Sequence, residues 1–195
     1  MTNEIREPKQ KRSIEKKEKI VDAGWKLITT NGYYNTNTAE IAKEAGVSTG
    51  IVYQYFKDKH DILISGINKY GDTVFFPMLR DDIDLTNNGI KEMINKFRKE
   101  KKISKDSHEE IMAMVHSDSE VASYFYKREI DLTNRIYNNL LSNNVNDDNL
   151  KEKVHVIIGL IDNLCHEIGY HKHNEMDYDI MTDIVIESID FLIKK

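Results

Sequence analysis

Hydrophobic residues recur at helical spacing along most of the chain. Ile20, Ala23, Leu27 and Ile28 share one helix face. Ser13 is placed to cap the start of that helix, with Glu15 and Glu18 in its first turns, where carboxylates suit the helix dipole. Gly32 suits its end, because glycine tolerates the left-handed backbone that follows a last turn. Two brief helices follow. Asn37 opens the first, with Ala39, Ile41, Ala42 and Ala45 facing inward and Gly46 stopping it. Ser48 opens the second, which runs to about Phe56, and Ile41, Val47, Val52 and Phe56 supply a small core. Two short capped helices across a tight glycine turn describe a helix-turn-helix.

Beyond Asp61 the pattern predicts longer helices. Ile62, Leu63, Ile67, Tyr70 and Val74 form one stripe, ended or kinked at Pro77. Asn87-Asn88-Gly89 reads as a loop before an amphipathic helix carrying Ile90, Met93, Ile94 and Phe97. Ser107 is placed to open another, with Ile111, Met114 and Val115. A long helix carries Val121, Tyr124, Phe125, Ile130, Leu132, Ile136 and Leu140, and residues 142–149 form an Asn- and Asp-rich loop.

The last two helices are apolar over a broader arc. Leu150, Val154, Ile157, Ile158, Ile161, Leu164, Cys165 and Ile168 mark one. Tyr178, Ile180, Met181, Ile184, Val185, Ile189, Leu192 and Ile193 mark the other. Such helices must be buried on several sides. A second copy of the chain is the expected partner, through Val154, Ile157, Ile158, Ile161, Cys165, Ile168, Met181, Ile184, Val185 and Ile189, in a bundle of two helices from each subunit. An ordinary intrachain core pair is the alternative.

With two prolines and nine glycines in 195 residues, an all-α chain is the simplest reading. It divides into a basic arm (1–12), a three-helix helix-turn-helix domain (13–60) and a larger helical domain (61–195). Charge follows the same division. Residues 1–60 hold eleven Lys/Arg against eight Asp/Glu, and the remainder seventeen against twenty-five. A basic segment on an acidic body suits a polyanion-binding module. One cysteine rules out an internal disulfide and fits a cytoplasmic protein. The charged first residues do not read as a signal peptide, and no apolar run reaches the ~18–20 residues of a membrane span.

The stretch Gly32-Tyr33-x-x-Thr36-Asn37-x-x-x-Ile41-Ala42-x-x-Ala45-Gly46-Val47-Ser48-x-Gly50-x-x-Tyr53-x-Tyr55-Phe56-x-x-Lys59 resembles the DNA-binding signature of the TetR family of one-component regulators. About a dozen positions agree in order and spacing. The resemblance implies a homodimeric, sequence-specific DNA-binding regulator, most simply a repressor released from a palindromic operator by a small molecule. A recognition helix enters the major groove by its N-terminal end, which brings Ser48, Thr49, Gly50 and Tyr53 nearest the duplex. Gln54 is a further candidate for a base edge. By resemblance, Tyr55 and Lys59 meet backbone phosphates, as does one of Thr36 and Asn37, where the family has a threonine pair. The helical body is then expected to hold an effector, largely hydrophobic, among Met93, Phe97, Met112, Met114, Tyr124, Phe125, Tyr126 and Tyr137. The same eight residues could equally be plain core.

Other chemistry finds little footing. There is no P-loop, GxGxxG or G-x-S-x-G, so no cofactor and no enzymatic activity are expected. His166 and His171 are five apart, about 140° around a helix, so they do not form an i, i+4 metal pair. An enzyme using a metal on the C-terminal histidines, or a helical protein-interaction module, are the rival readings. The first leaves the signature from Gly32 to Lys59 unexplained; the second would be a module that has lost DNA binding.

Overall fold

The computed structural model describes residues 11–75, 84–99 and 103–193. Among them are nine α-helices and no strand: α1 Lys11–Asn31, α2 Thr38–Glu44, α3 Thr49–Tyr55, α4 Lys59–Val74, α5 Asn87–Lys99, α6 Lys105–Ser117, α7 Ser119–Ser142, α8 Leu150–Tyr170 and α9 Tyr178–Ile193. The all-α reading holds. Pro77 and most of the expected basic arm lie outside the described residues; Lys11 and Arg12 are already helical in α1. Ser13 is therefore inside a helix rather than at its cap.

Contacts group the chain into two units, residues 1–75 with 103–125 and residues 76–102 with 126–195. This differs from a division after residue 60, because α4 and α6 both pack with the first helices.

In the first unit, one core joins Ile20, Val21 and Ala23 of α1 to Ile41, Val52, Tyr55, Phe56 and Ile62. A second joins Ile28, Leu63 and Ile67 to Ile111, Met114 and Val121. Helices α1 and α4 approach closely at two glycines. A Cβ on Gly24 would lie 2.3 Å from Ile62 Cγ2, and one on Gly66 2.8 Å from Trp25 Cε3. The start of α6 serves the end of α1: the Ser104 amide donates to the Thr29 carbonyl at 3.0 Å, and Ser107 Oγ donates to Ile28 O at 2.8 Å. Ser104, not Ser107, caps α6, its hydroxyl accepting from the Ser107 amide.

The second unit has one core, built from Ile90, Ile94 and Phe97 of α5, Leu132, Ile136 and Leu140 of α7, and the inner faces of α8 and α9. Asn87, Asn88 and Gly89 form the first turn of α5, not a loop. The expected dimer-facing set is mostly turned inward. Val154, Ile157, Ile158, Ile161, Cys165 and Ile189 are buried within this core, and Ile168, Met181 and Val185 pack against it. Of that set Ile184 is exposed, alongside Val156, Ile180 and Phe191, with Phe191 83% accessible. The reason lies in periodicity: the inward set follows the stripe that α5 and α7 also need, and the outward residues occupy the opposite arc. No described helix is long and apolar enough to cross a membrane.

Candidate nucleic-acid interface

The site begins at the turn after α1. Gly32 adopts φ +95°, and its amide donates to Ile28 O at 3.0 Å, so the helix ends there and the chain reverses. A side chain at Gly32 would also meet the Glu110 carboxylate, which accepts from the amides of Tyr33 and Tyr34. Glu110 thus closes a turn that would otherwise present bare amides.

Asn37 then caps α2. Its Oδ1 accepts from the Ala39 and Glu40 amides at 3.0 Å each, and the Glu40 carboxylate accepts from the Asn37 amide at 3.1 Å. This reciprocal capping box uses the asparagine's acceptor internally. Its neighbour Thr36 is 2% exposed and donates its hydroxyl to Gly32 O at 2.8 Å. Of the pair from which one phosphate contact was expected, Thr36 is turned inward and holds the turn. Ala39, expected inside, is exposed. Gly46, at φ +68°, ends the turn that leads to α3.

Helix α3 spans two turns and presents two opposed faces. Val52, Tyr55 and Phe56 lie inward at i, i+3 and i+4, with Tyr55 6% exposed in the core. Tyr55 therefore packs rather than standing out toward a phosphate. Ser48, Thr49, Gly50, Tyr53 and Gln54 are exposed, Tyr53 by 44%. Ser48 sits at the cap position with its hydroxyl making no cap hydrogen bond. A Cβ added at Gly50 would meet nothing nearer than Ser48 Oγ at 3.9 Å, so the glycine serves no packing need of its own. Tyr53 Oη lies 2.9 Å from Thr38 Oγ1, in the first turn of α2. No local pattern signals this pairing, whose members are fifteen residues apart.

Lys59 was expected to face DNA from the start of α4. Its ammonium donates to the carbonyls of Tyr33 and Thr36, the latter at 2.7 Å, and lies 4.0 Å from the centre of the Tyr33 ring. Burial lowers its pKa from the ordinary lysine value, against the pull of Glu110 and Glu40. Burial also raises the pKa of Tyr33, helped by Asp58. Lys59 is thus a clamp between α4 and the turn before α2. Beside it, Asp58 caps α4 by accepting from the Asp61 amide, and Asp61 accepts from the Lys57 amide at 2.7 Å. His60 Nε2 lies 2.8 Å from Asp118 Oδ2 at the start of α7.

The expected effector residues are divided between the two units. Phe97 belongs to the core of the second unit, against which Met93 and Tyr137 pack, and Met114, Tyr124 and Phe125 belong to the first unit. Met112 is half-buried and Tyr126 is 67% exposed. The histidines near the end of α8 differ from their helical projection. His171 lies past the helix, and its ring stacks on His166 at 4.7 Å and 10°. Imidazole lone pairs lie in the ring plane, so parallel stacked rings do not converge on one ion.

The sequence model described as "Bacterial regulatory proteins, tetR family" matches residues 20–65, which span α1 from Ile20 through the first turns of α4. Residues 20–65 of this chain are thus similar to the helix-turn-helix region of the tetR family. Over 59 residues, 30% of its length, it is 48% identical to the HTH-type transcriptional regulator HbdR of Aromatoleum sp. (strain CIB). Over 57 residues, 29% of its length, it is 51% identical to the fatty acid metabolism regulator protein of Bacillus subtilis (strain 168). The matches span 26% and 28% of those two relatives. A TetR-family transcriptional regulator from Mesorhizobium loti shares the fold over 94% of this chain and 97% of its own, with TM-score 0.69 and 16% identity. Sequence likeness is strongest in the helix-turn-helix but is not confined to it: the HTH-type transcriptional regulator YerO of Bacillus subtilis (strain 168) is 24% identical over 189 residues, 92% of this chain and 65% of its own length.

Proposed function

We propose that this chain is a dimeric, sequence-specific DNA-binding regulator of transcription, acting as a repressor that a small molecule releases from its operator. The observation that carries the reading is the split character of α3. One face is buried in the core, while Thr49, Gly50, Tyr53 and Gln54 project from the other with no packing duty. A short helix held rigidly from behind, polar and free of bulk at its N-terminal end, is what the major groove admits. Thr49 offers a hydroxyl and a methyl to base edges, and Gln54 an amide suited to adenine. Ser48, Asn37 through its amide N–H groups, and the Tyr53 hydroxyl supply contacts to the backbone, which position without reading sequence.

Dimerisation is assigned to the outward arc of α8 and α9, where Val156, Ile180, Ile184 and Phe191 stand exposed. Two copies would then present two recognition helices, and the operator would be palindromic. The effector is proposed as a small, largely apolar molecule, on the strength of half-buried Met93 and Tyr137 packed against the core that holds Phe97. It acts only through a difference in affinity for the two conformations of the regulator.

Selection of bound duplexes from a random-sequence pool by the purified protein tests the reading. Enrichment of a palindrome is expected, with binding that weakens with salt by a log–log slope of roughly −0.9 per phosphate neutralised. Failure to enrich any sequence would contradict it.

A further inference from the structure

Three successive polar side chains precede the body of α2, and each has a different task. Thr36 is turned into the core and donates to Gly32 O, and Asn37 is engaged in the capping box with Glu40. Thr38 is the third. Its hydroxyl is directed across the surface of the helix-turn-helix to Tyr53 of α3, with 2.9 Å between the two oxygens. Tyr53 is the α3 tyrosine that stands outside the core; Tyr55, two residues on, is buried.

We propose that Thr38 is a positioning residue for DNA recognition, holding the Tyr53 hydroxyl in place and polarising it as a donor to a backbone phosphate. The proposal rests on the DNA-binding reading above. Each hydroxyl has one proton and can also accept, so the pair can be ordered in either direction. The phenol is the more acidic of the two. When a phosphate oxygen approaches, the favoured order runs from Thr38 Oγ1–H to Tyr53 Oη, and from Tyr53 Oη–H to the phosphate. In that order every proton has an acceptor, and each hydrogen bond strengthens the next. The Thr38 bond also fixes a half-exposed aromatic side chain before DNA arrives. Less side-chain freedom is then lost on binding. Because Thr38 and Tyr53 sit on different helices, the bond ties the α2–α3 angle to the contact itself. Neither group is charged, so the effect should appear in affinity and leave the salt slope unchanged.

The test is a titration by fluorescence anisotropy of the duplex that the native protein enriches. Compared are the native protein, Thr38→Ala, Thr38→Ser, Thr38→Val, Tyr53→Phe and the double variant Thr38→Ala/Tyr53→Phe. Thr38→Ala should weaken binding by about fivefold, the worth of one hydrogen bond. Thr38→Ser, which keeps the hydroxyl, should bind nearly as the native protein does. In the Tyr53→Phe background, Thr38→Ala should cause no further loss, because the group it orients is gone. Thr38→Val, which preserves the branched shape, should reproduce the alanine result with an unchanged melting temperature, separating lost orientation from lost packing. Native affinity in Thr38→Ala and Thr38→Val would overturn the proposal. An equal loss with and without the Tyr53 hydroxyl would overturn it too. If the native protein binds no duplex, the DNA-binding reading fails first, and this inference falls with it.

Discussion

The helix-turn-helix and the α8–α9 pair are built from much the same apolar residues, yet they constrain the chain in different ways. A seven-residue helix such as α3 has room for one apolar stripe, and Val52, Tyr55 and Phe56 occupy it fully. What remains, apart from half-buried Ile51, is outward. Helix α8, at 21 residues, carries apolar side chains on more than one arc: Val154, Ile157, Ile158 and Ile161 inside, Val156 outside. Short capped helices thus assign each residue a side. Long apolar helices leave the division between own core and partner surface to tertiary packing.

The sharpest way to break that comparison is to truncate one isoleucine from each arc. Ile157→Ala, in the core of the second unit, should lower unfolding stability by about 2–5 kcal/mol. Ile184→Ser, on the 55% exposed side chain of α9, should instead shift the monomer–dimer equilibrium seen in sedimentation toward monomer, with the core intact. A dimer unaffected by Ile184→Ser would move the interface elsewhere.

Lys59→Ala comes next. It removes the donor to two carbonyls and should cost about 1–3 kcal/mol in chemical denaturation. The salt slope of DNA binding should stay as it was. A flattened slope with unchanged stability would return Lys59 to the phosphate backbone. Gly50→Ala should change stability by no more than about 1 kcal/mol, since a Cβ there meets only Ser48 Oγ at an ordinary contact distance of 3.9 Å. Its effect should fall on operator affinity, through steric approach to the duplex. Unaltered affinity would show that the groove does not come so close.

The smallest effect concerns acid. The Asp118 carboxyl is held below its ordinary pKa by the Val121 amide, and further by His60 and the Glu120 amide. A carboxylate depressed on folding contributes stability above its unfolded pKa, and that contribution disappears as pH falls through the folded value. Asp118→Asn should therefore lessen the loss of stability on the acid limb of a pH–melting profile. An acid limb identical to the native one would remove Asp118 from the account.

Much of the first unit was legible from residue type. Gly32 and Gly46 mark positive-φ ends, and Asn37 with Glu40 three residues later spells out the capping box. The roles of Thr36, Tyr55 and Lys59 were not legible, because a motif fixes which residue occurs but not which way its polar atom turns. Lys59 finds its carbonyls 26 and 23 residues away, and Glu110 closes a turn 77 residues before it. No local pattern encodes such pairings. Asn87-Asn88-Gly89 misled for the opposite reason: turn-forming residues also open helices, and here the Thr86 hydroxyl accepts from the Gly89 amide as α5 begins.

The central claim is that the outward face of α3 reads DNA. Its most direct test is to measure affinity for the enriched duplex and for a scrambled duplex, with the native protein and with Thr49→Ala/Gln54→Ala. The native protein should prefer the enriched sequence by at least about 10³-fold. The double variant should lose most of that preference while keeping its affinity for the scrambled duplex. A preference that survives the double substitution would contradict the account.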